Sequence, residues 1–159
     1  MLPEKNMKDK VYLTKEGLTD LQKELKQLVE VERVTIAERI KSARENNDIS
    51  ENAEYESARD RQSFVEGRIR ELEEILKNVS VIAENKKTDI IGLGSTVKVH
   101  IDGGDEVFKI VGAPEANPIE NKISHESPLG EALLGKKIGQ HVEVDAPIGK
   151  LTYTVLSIE

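Results

Sequence analysis

The sequence contains no cysteine, no tryptophan and only three tyrosines and two phenylalanines among 159 residues. The lack of cysteine excludes a disulfide framework, a thiol nucleophile and a cysteine-based zinc site, and it fits a reducing cytoplasm. The scarcity of aromatic residues argues against a stacking platform for single-stranded nucleic acid. No run of about 18 apolar residues occurs, so we expect no membrane span. The first residues also lack the apolar stretch of a secretory signal.

Positive charge is also in deficit, with 23 basic against 30 acidic residues and a formal net charge of -7. This balance disfavours tight, unaided binding to a phosphate backbone. The sequence has neither a phosphate loop nor a dinucleotide fingerprint nor a nucleophile elbow. Its histidines, His100, His125 and His141, are scattered without metal-ligand spacing. The residues therefore do not predict a self-contained active site.

Two stretches of the chain differ in composition. Residues 14–79 contain no proline and repeat their apolar residues at helical spacing, whereas residues 95–158 are rich in Gly and Pro and carry short β-branched runs. The polar residues 84–89 between them suit a linker. We therefore predict an N-terminal helical domain over residues 1–84 and a second domain over residues 85–159.

The helical domain should contain two long helices. The later helix carries a heptad seam over about three repeats: Tyr55, Ala58, Gln62, Val65, Ile69, Leu72, Leu76 and Val79. The earlier helix, which Thr14 can cap, has a looser seam with steps of three, four and four: Leu18, Leu21, Leu25, Val29, Glu32, Ile36, Ile40 and Ala43. The reversal at 46–51 is short, so the pattern predicts an antiparallel coiled-coil hairpin. Its helices should be roughly 42–48 Å long and should project, carrying the reversal far from the rest of the protein.

The second domain should be an antiparallel sheet with one short helix. Alternating residues predict a half-buried strand at 95–101, and after a turn at 102–105 we expect the returning strand at 106–111. Further strands are expected at 141–145 and 151–158. Ser127 and Pro128 can begin the helix and Gly135 can end it. The fold class is therefore α+β.

Two acidic residues in the reversal, Asp48 and Glu51, are three apart at the predicted start of the second helix. One interpretation is structural: Asp48 as N-cap with Glu51 at the third helical position forms a capping box. The other is functional: two exposed carboxylates are delivered to a metal ion whose remaining ligands belong to a partner, since a Mg²⁺ ion needs about six oxygens. The two interpretations are compatible.

Basic residues lie near the same end of the hairpin: Lys41 and Arg44 on the first helix, and Arg59 and Arg61 on the second. They could form a solvated face with ion pairs. Alternatively, they could hold a phosphate backbone near the carboxylates.

The segment Asp48-Ile49-Ser50-Glu51-Asn52-Ala53-Glu54-Tyr55 resembles the tip signature of the bacterial transcript cleavage factors, the Gre family. The resemblance continues through Ala58-Arg59 and residues 64–69. It resumes at Ile110-Val111-Gly112 and at residues 123–139, which include Ser127-Pro128. It covers roughly residues 11–158, nearly the whole chain.

The resemblance implies a coiled-coil hairpin followed by an FKBP-like domain in a cytoplasmic, monomeric factor. Such factors bind RNA polymerase at its secondary channel and stimulate the polymerase's own cleavage of backtracked RNA, so the chain would not itself be an enzyme. By this resemblance Asp48 and Glu51 hold a Mg²⁺ shared with the polymerase, and the chain has no cofactor of its own. Arg44 and Arg59 would contact the RNA 3′ end, and Ser127 and Pro128 would bind the polymerase. Contact with DNA would occur only within that complex.

Three other functions remain open. An inhibitory homologue would enter the same channel and block catalysis, although such tips tend to carry more acids. A peptidyl-prolyl isomerase would need more aromatic residues than Phe108 and Tyr153 of the second domain. A coiled-coil holdase chaperone should expose apolar residues at its tip, where this sequence has mainly Ile49.

Overall fold

The computed structural model describes residues 10–46, 52–83 and 88–159. They form two compact units. One comprises the described residues of Met1–Gly17 and Val79–Glu159, and the other is Leu18–Asn78. The predicted boundary between residues 84 and 85 lies outside the described residues, so the division into 1–84 and 85–159 stays a prediction.

The predicted helical hairpin is confirmed. Its first segment runs through α1 (Lys15–Gln27), a π-helical turn (Leu28–Glu32) and α2 (Arg33–Asn46), and its second is α3 (Ala53–Lys77). Thr14 caps α1 as expected, because its Oγ1 accepts a hydrogen bond from the Gly17 amide at 3.0 Å.

The seam of α3 follows the predicted heptad pattern. Ala58, Val65, Ile69 and Leu72 are buried, and the remaining helical positions of the seam, including Gln62, are half-buried. Because α3 ends at Lys77, Val79 lies in a strand and not at the end of the helix. The alternating steps of three and four keep one stripe of α3 against the first segment.

The seam of the first segment differs from the prediction near its middle. Leu28 is buried, with 8% of its surface exposed, whereas Val29 is only half-buried. The next buried residue is Ile36, eight residues after Leu28, whereas two α-helical turns take about 7.2 residues. The π-helical turn takes up the difference, since its hydrogen bonds span one residue more than those of an α-helix. Leu28 and Ile36 therefore share one face of the segment.

Charged side chains pair across the hairpin, from one segment to the other. The four interhelical pairs have N–O distances of 2.7–3.0 Å: Glu24–Arg68, Glu32–Arg61, Arg33–Glu66 and Arg39–Glu54. Each pair is partly solvated, so water and salt screen its attraction. The spacing of the four pairs matches the antiparallel register of the two segments.

The other unit is built on a five-stranded sheet with strand order β5–β4–β3–β7–β6. Its strands are β3 (Thr96–Ile101), β4 (Gly104–Val111), β5 (Lys122–Ser124), β6 (His141–Ala146) and β7 (Gly149–Ile158). Neighbouring strands are antiparallel except for the edge pair β4–β5, which is parallel. The four predicted strands are confirmed within two residues at each end, and β5 was not predicted.

One face of this sheet packs on α4 (Pro128–Leu133). The buried residues of this core are almost all aliphatic: Ile91, Val97, Val99, Ile110, Leu133, Val142, Tyr153 and Val155. The predicted helix after Ser127 is thus confirmed, and it ends two residues before Gly135. The α+β class follows from this unit and the hairpin together.

Two short strands that the sequence did not predict complete the unit. These are β1 (Val11–Leu13) and β2 (Val79–Val81), which pair in parallel. Three residues are too few to show a strand's alternation, yet Leu13 is fully buried. Among the helices that the structure describes, none combines the length and the apolar character of a membrane span.

Candidate functional site

The end of the hairpin is organised by Asn52. Helix α2 ends at Asn46 and α3 begins at Ala53, with residues 47–51 between them outside the described part of the chain. The Asn52 Oδ1 accepts a hydrogen bond from the Tyr55 amide at 3.2 Å. Its Nδ2 donates to the Ala43 carbonyl of the facing helix at 2.8 Å. Asn52 therefore caps α3 and at the same time ties it to the end of α2.

This arrangement overturns one sequence-based prediction. The N-cap of α3 is Asn52, so the capping box with Asp48 as N-cap and Glu51 at the third helical position is wrong. Asp48 and Glu51 themselves lie outside the described residues. Their role toward a metal ion stays a prediction.

Arg44 lies beside the ring of Tyr55. The guanidinium carbon is 5.6 Å from the ring centroid, and Nη2 is 3.5 Å from the phenol oxygen, which is long for a hydrogen bond. The pKa of Tyr55 is lowered below its usual range, chiefly because the Arg44 guanidinium donates this long bond to the phenol oxygen, and further through the charges of Arg44 and Arg59. Arg44 is exposed and Tyr55 is half-buried, so the guanidinium remains accessible from solvent.

Of the four basic residues named from the sequence, Lys41 is exposed on α2, and the three arginines have different surroundings. Arg61 binds Glu32 at 3.0 Å and lies 5.3 Å from the Phe64 ring centroid, so it serves the hairpin itself. Arg59 donates to the Gln62 side chain at 2.7 Å. Within the described part of the chain, neither Arg44 nor Arg59 forms an ion pair with an acid. Both guanidinium groups are therefore not held by an acid among these residues, which leaves them available to an anion.

Tyr55 and Asn52 are the residues at this end whose roles the sequence analysis missed. Tyr55 was assigned to the seam, and it does sit half-buried there. Asn52 had a detectable signal, since Asn is among the preferred N-cap residues. The competing Asp48 obscured it.

The predicted polymerase-binding segment lies in the other unit, where Ser127 begins α4. The Ser127 Oγ accepts a hydrogen bond from the Gly130 amide at 3.0 Å and donates one to the Ser124 carbonyl at 2.7 Å. Pro128 occupies the first turn of α4, where its missing N–H costs no hydrogen bond. A Cβ on Gly130 would collide with the Ser124 carbonyl. The segment is thus a tightly bonded turn with Pro128 exposed on it.

His125 fixes the entry to this turn. Its backbone N–H donates to the Val111 carbonyl at 2.9 Å. Its ring meets Tyr12 edge-on, with 5.9 Å between the ring centroids. Through these two contacts of His125, strands β1 and β4 both help to position the segment with Ser127 and Pro128.

No metal centre is formed by the described residues alone, since nowhere in 10–46, 52–83 and 88–159 do three or more His, Asp or Glu side chains cluster suitably. The hairpin residues and the Ser127–Pro128 segment belong to different compact units. Within the hairpin unit, the Arg44 guanidinium contacts the Tyr55 ring, and the charge of Arg59 also acts on the Tyr55 hydroxyl.

Comparison with known proteins gives the family. Residues 11–81 match the family model "Transcription elongation factor, N-terminal", and residues 85–159 match "Transcription elongation factor, GreA/GreB, C-term". The transcription elongation factor GreA of Thermoanaerobacter pseudethanolicus is 48% identical over 96% of this chain and 99% of its own. GreA of Clostridium acetobutylicum is 47% identical over 94% of this chain and 97% of its own.

Among solved structures, the GreA factor homolog 1 protein of Thermus thermophilus is 31% identical, covers 94% of this chain and 99% of its own, and superposes with a TM-score of 0.45. The two family models together cover nearly all of residues 11–159, and the curated relatives are matched over nearly their full length. The chain therefore belongs to the GreA/GreB family of transcription elongation factors.

Proposed function

We propose that this elongation factor binds RNA polymerase and stimulates the polymerase's own cleavage of backtracked nascent RNA. The observation that carries the proposal is the placement of Arg44 and Arg59, exposed and without an acid partner among the described residues, on the two helices that flank the segment containing Asp48 and Glu51. Family membership gives this arrangement its context. The chain acts in transcription elongation, where an arrested polymerase must regain an RNA 3′ end in its active centre.

The donor set of the chain fits a shared magnesium ion. Carboxylate oxygens are the ligands that Mg²⁺ prefers, but the ion needs about six oxygens. Asp48 and Glu51 can supply only part of such a shell, and the described residues add no further cluster. When bound, Mg²⁺ supplies Lewis-acid activation of water and of the phosphoryl group. Asp48 and Glu51 would hold it, and the polymerase would contribute the remaining ligands.

The reaction is hydrolysis of one phosphodiester bond. The water oxygen bonds to phosphorus, the P–O3′ bond breaks, and the proton passes to the leaving oxygen. The products are a new RNA 3′-hydroxyl and a released fragment with a 5′-phosphate. Arg44 and Arg59 position the RNA by binding phosphates, which fixes its register without reading its sequence. The factor thus activates a nuclease that belongs to the polymerase and is not an enzyme by itself.

Docking would use the other unit. The bonded turn at Ser127 and Pro128 presents a rigid surface to the polymerase beside its secondary channel. One copy of the chain in the cytoplasm supplies both functions, because the acids and the docking segment lie on the same chain.

A backtracked elongation complex with labelled RNA tests the proposal. The wild-type factor should accelerate cleavage, and Asp48→Ala should abolish the acceleration while still competing with the wild type for polymerase. The control Asp60→Ala removes an exposed carboxylate from α3 and should behave as wild type. Unchanged cleavage with the wild-type factor would overturn the proposal, and slower cleavage would identify an inhibitor.

A further inference from the structure

We propose that Asn52 and Tyr55 are positioning residues that together hold the Arg44 guanidinium at the end of the hairpin. The consequence for RNA cleavage rests on the proposed function, in which Arg44 contacts the nascent RNA. The placement of Arg44 itself rests only on contacts among described residues.

Asn52 is a buried polar side chain, with 6% of its surface exposed. Both of its polar atoms are bonded, one to the Tyr55 amide and one to the Ala43 carbonyl. A buried amide that lost either partner would carry a desolvation penalty, so the pair of bonds selects one arrangement of the two helix ends. The bond to Ala43 acts on the residue immediately before Arg44.

Tyr55 completes the arrangement from the other helix. Its amide is fixed by Asn52, and its ring faces the Arg44 guanidinium at 5.6 Å from the centroid. A cation over an aromatic ring at this distance is attracted to the ring face. Asn52 therefore fixes the backbones of both partners, and the Tyr55 ring fixes the long side chain of Arg44.

This positioning matters because a free arginine side chain has many rotamers. Holding the guanidinium on Tyr55 removes part of that freedom before RNA arrives, which lowers the entropic cost of the contact. A misplacement of about 1 Å in a positioning group can cost up to roughly 100-fold in rate. We expect loss of either positioning residue to lower the maximal rate of stimulated cleavage by roughly 10- to 100-fold.

The variants separate positioning from helix capping. Asn52→Asp keeps an oxygen that accepts from the Tyr55 amide, but it replaces the donor to Ala43 with an acceptor. Tyr55→Phe keeps the ring, and Tyr55→Leu removes it. Asn46→Asp is the matched control for the Arg44 signals, because among the described residues the Asn46 Nδ2 donates within α2, to Ser42 Oγ at 3.3 Å.

The first measurement is NMR of the full-length free factor. In the wild type the Tyr55 ring current shifts the Arg44 side-chain signals upfield, and Tyr55→Phe and Asn46→Asp should keep that shift. Asn52→Asp and Tyr55→Leu should lose it while the helical circular dichroism stays unchanged. Arg44 signals that are unshifted in the wild type, or unmoved in Asn52→Asp, would overturn the proposal. Should Asn52→Asp fail to fold, Tyr55→Leu against Tyr55→Phe still decides it.

The second measurement is cleavage in the backtracked complex. Asn52→Asp and Tyr55→Leu should each lower the maximal cleavage rate without raising the factor concentration for half-maximal effect. In a double variant with Arg44→Ala, neither substitution should lower the rate below that of Arg44→Ala alone. Full additivity with Arg44→Ala would contradict positioning. A wild-type factor without any cleavage effect would refute the proposed function instead, and the NMR result would still decide the positioning of Arg44.

Discussion

The carboxylate of Glu115 binds both the backbone and the hydroxyl of Thr14, 101 residues earlier in the chain. Its Oε1 accepts from Thr14 Oγ1 at 2.6 Å, and its Oε2 accepts from the Thr14 amide at 3.1 Å. A Cβ on Gly17 would collide with the same carboxylate. Glu115 thus stabilises the first turn of α1, where a negative charge is also favoured by the helix dipole.

Replacing Glu115 should therefore destabilise the fold. We expect Glu115→Ala to lower the free energy of unfolding by about 1–3 kcal/mol, because two donors on Thr14 lose their acceptor. Glu115→Gln should lose less, since its amide oxygen can still accept from the Thr14 hydroxyl. Urea unfolding followed by circular dichroism measures the difference. The control Glu143→Ala, exposed on β6, should stay within about 0.5 kcal/mol of wild type. Equal losses for Glu115→Ala and Glu143→Ala would contradict this assignment.

The identity of the N-cap separates the roles of Asn52 and the two tip acids. Asn52→Ala should lower the stability of α3 by about 1 kcal/mol, because the Tyr55 amide loses its acceptor. Asp48→Ala and Glu51→Ala should leave helix stability unchanged and should each abolish stimulated cleavage, while polymerase binding persists. Thermal unfolding paired with the cleavage assay tests both. A stability loss in Asp48→Ala that matches Asn52→Ala, with cleavage retained, would restore the capping role of Asp48.

Ser127 offers a test of the docking segment. Ser127→Ala removes both side-chain hydrogen bonds at the start of α4. The factor concentration for half-maximal cleavage should therefore rise about tenfold, which corresponds to about 1.4 kcal/mol. The maximal rate should not change, because the hairpin is untouched. Ser127→Thr keeps the hydroxyl and should restore most of the affinity. A lower maximal rate at unchanged half-maximal concentration would assign Ser127 to the chemical step instead.

Features with a repeating apolar pattern could be predicted from the sequence. The seam of α3 and strand β3 each bury one stripe or face, and that stripe is visible as a period in the chain. The contacts of Thr14 with Glu115 could not be predicted from a repeating pattern, because they join residues far apart in sequence. Strands β1 and β2 are likewise too short to show a period.

The tip illustrates a different limit. Asp48 and Asn52 are both good N-cap residues, so local preference alone could not choose between them. The choice depends on the Ala43 carbonyl, which lies on the facing helix and gives Asn52 a second partner. An acid at the cap would place an acceptor against that carbonyl.

The π-helical turn gives the sharpest test of the hairpin seam. The sequence spacing predicted Val29 as a seam residue, whereas the structure buries Leu28 and leaves Val29 half-buried. Leu28→Ala should therefore lower the free energy of unfolding by about 2–5 kcal/mol. Val29→Ala removes fewer buried methyl groups and should cost about 1 kcal/mol or less. Urea unfolding of the two variants shows which of Leu28 and Val29 is the seam residue. Leu21→Ala, at a buried seam position outside the π-helical turn, gives the reference loss for a seam leucine. A larger loss for Val29→Ala than for Leu28→Ala would mean that the segment keeps the regular α-helical phase predicted from the sequence.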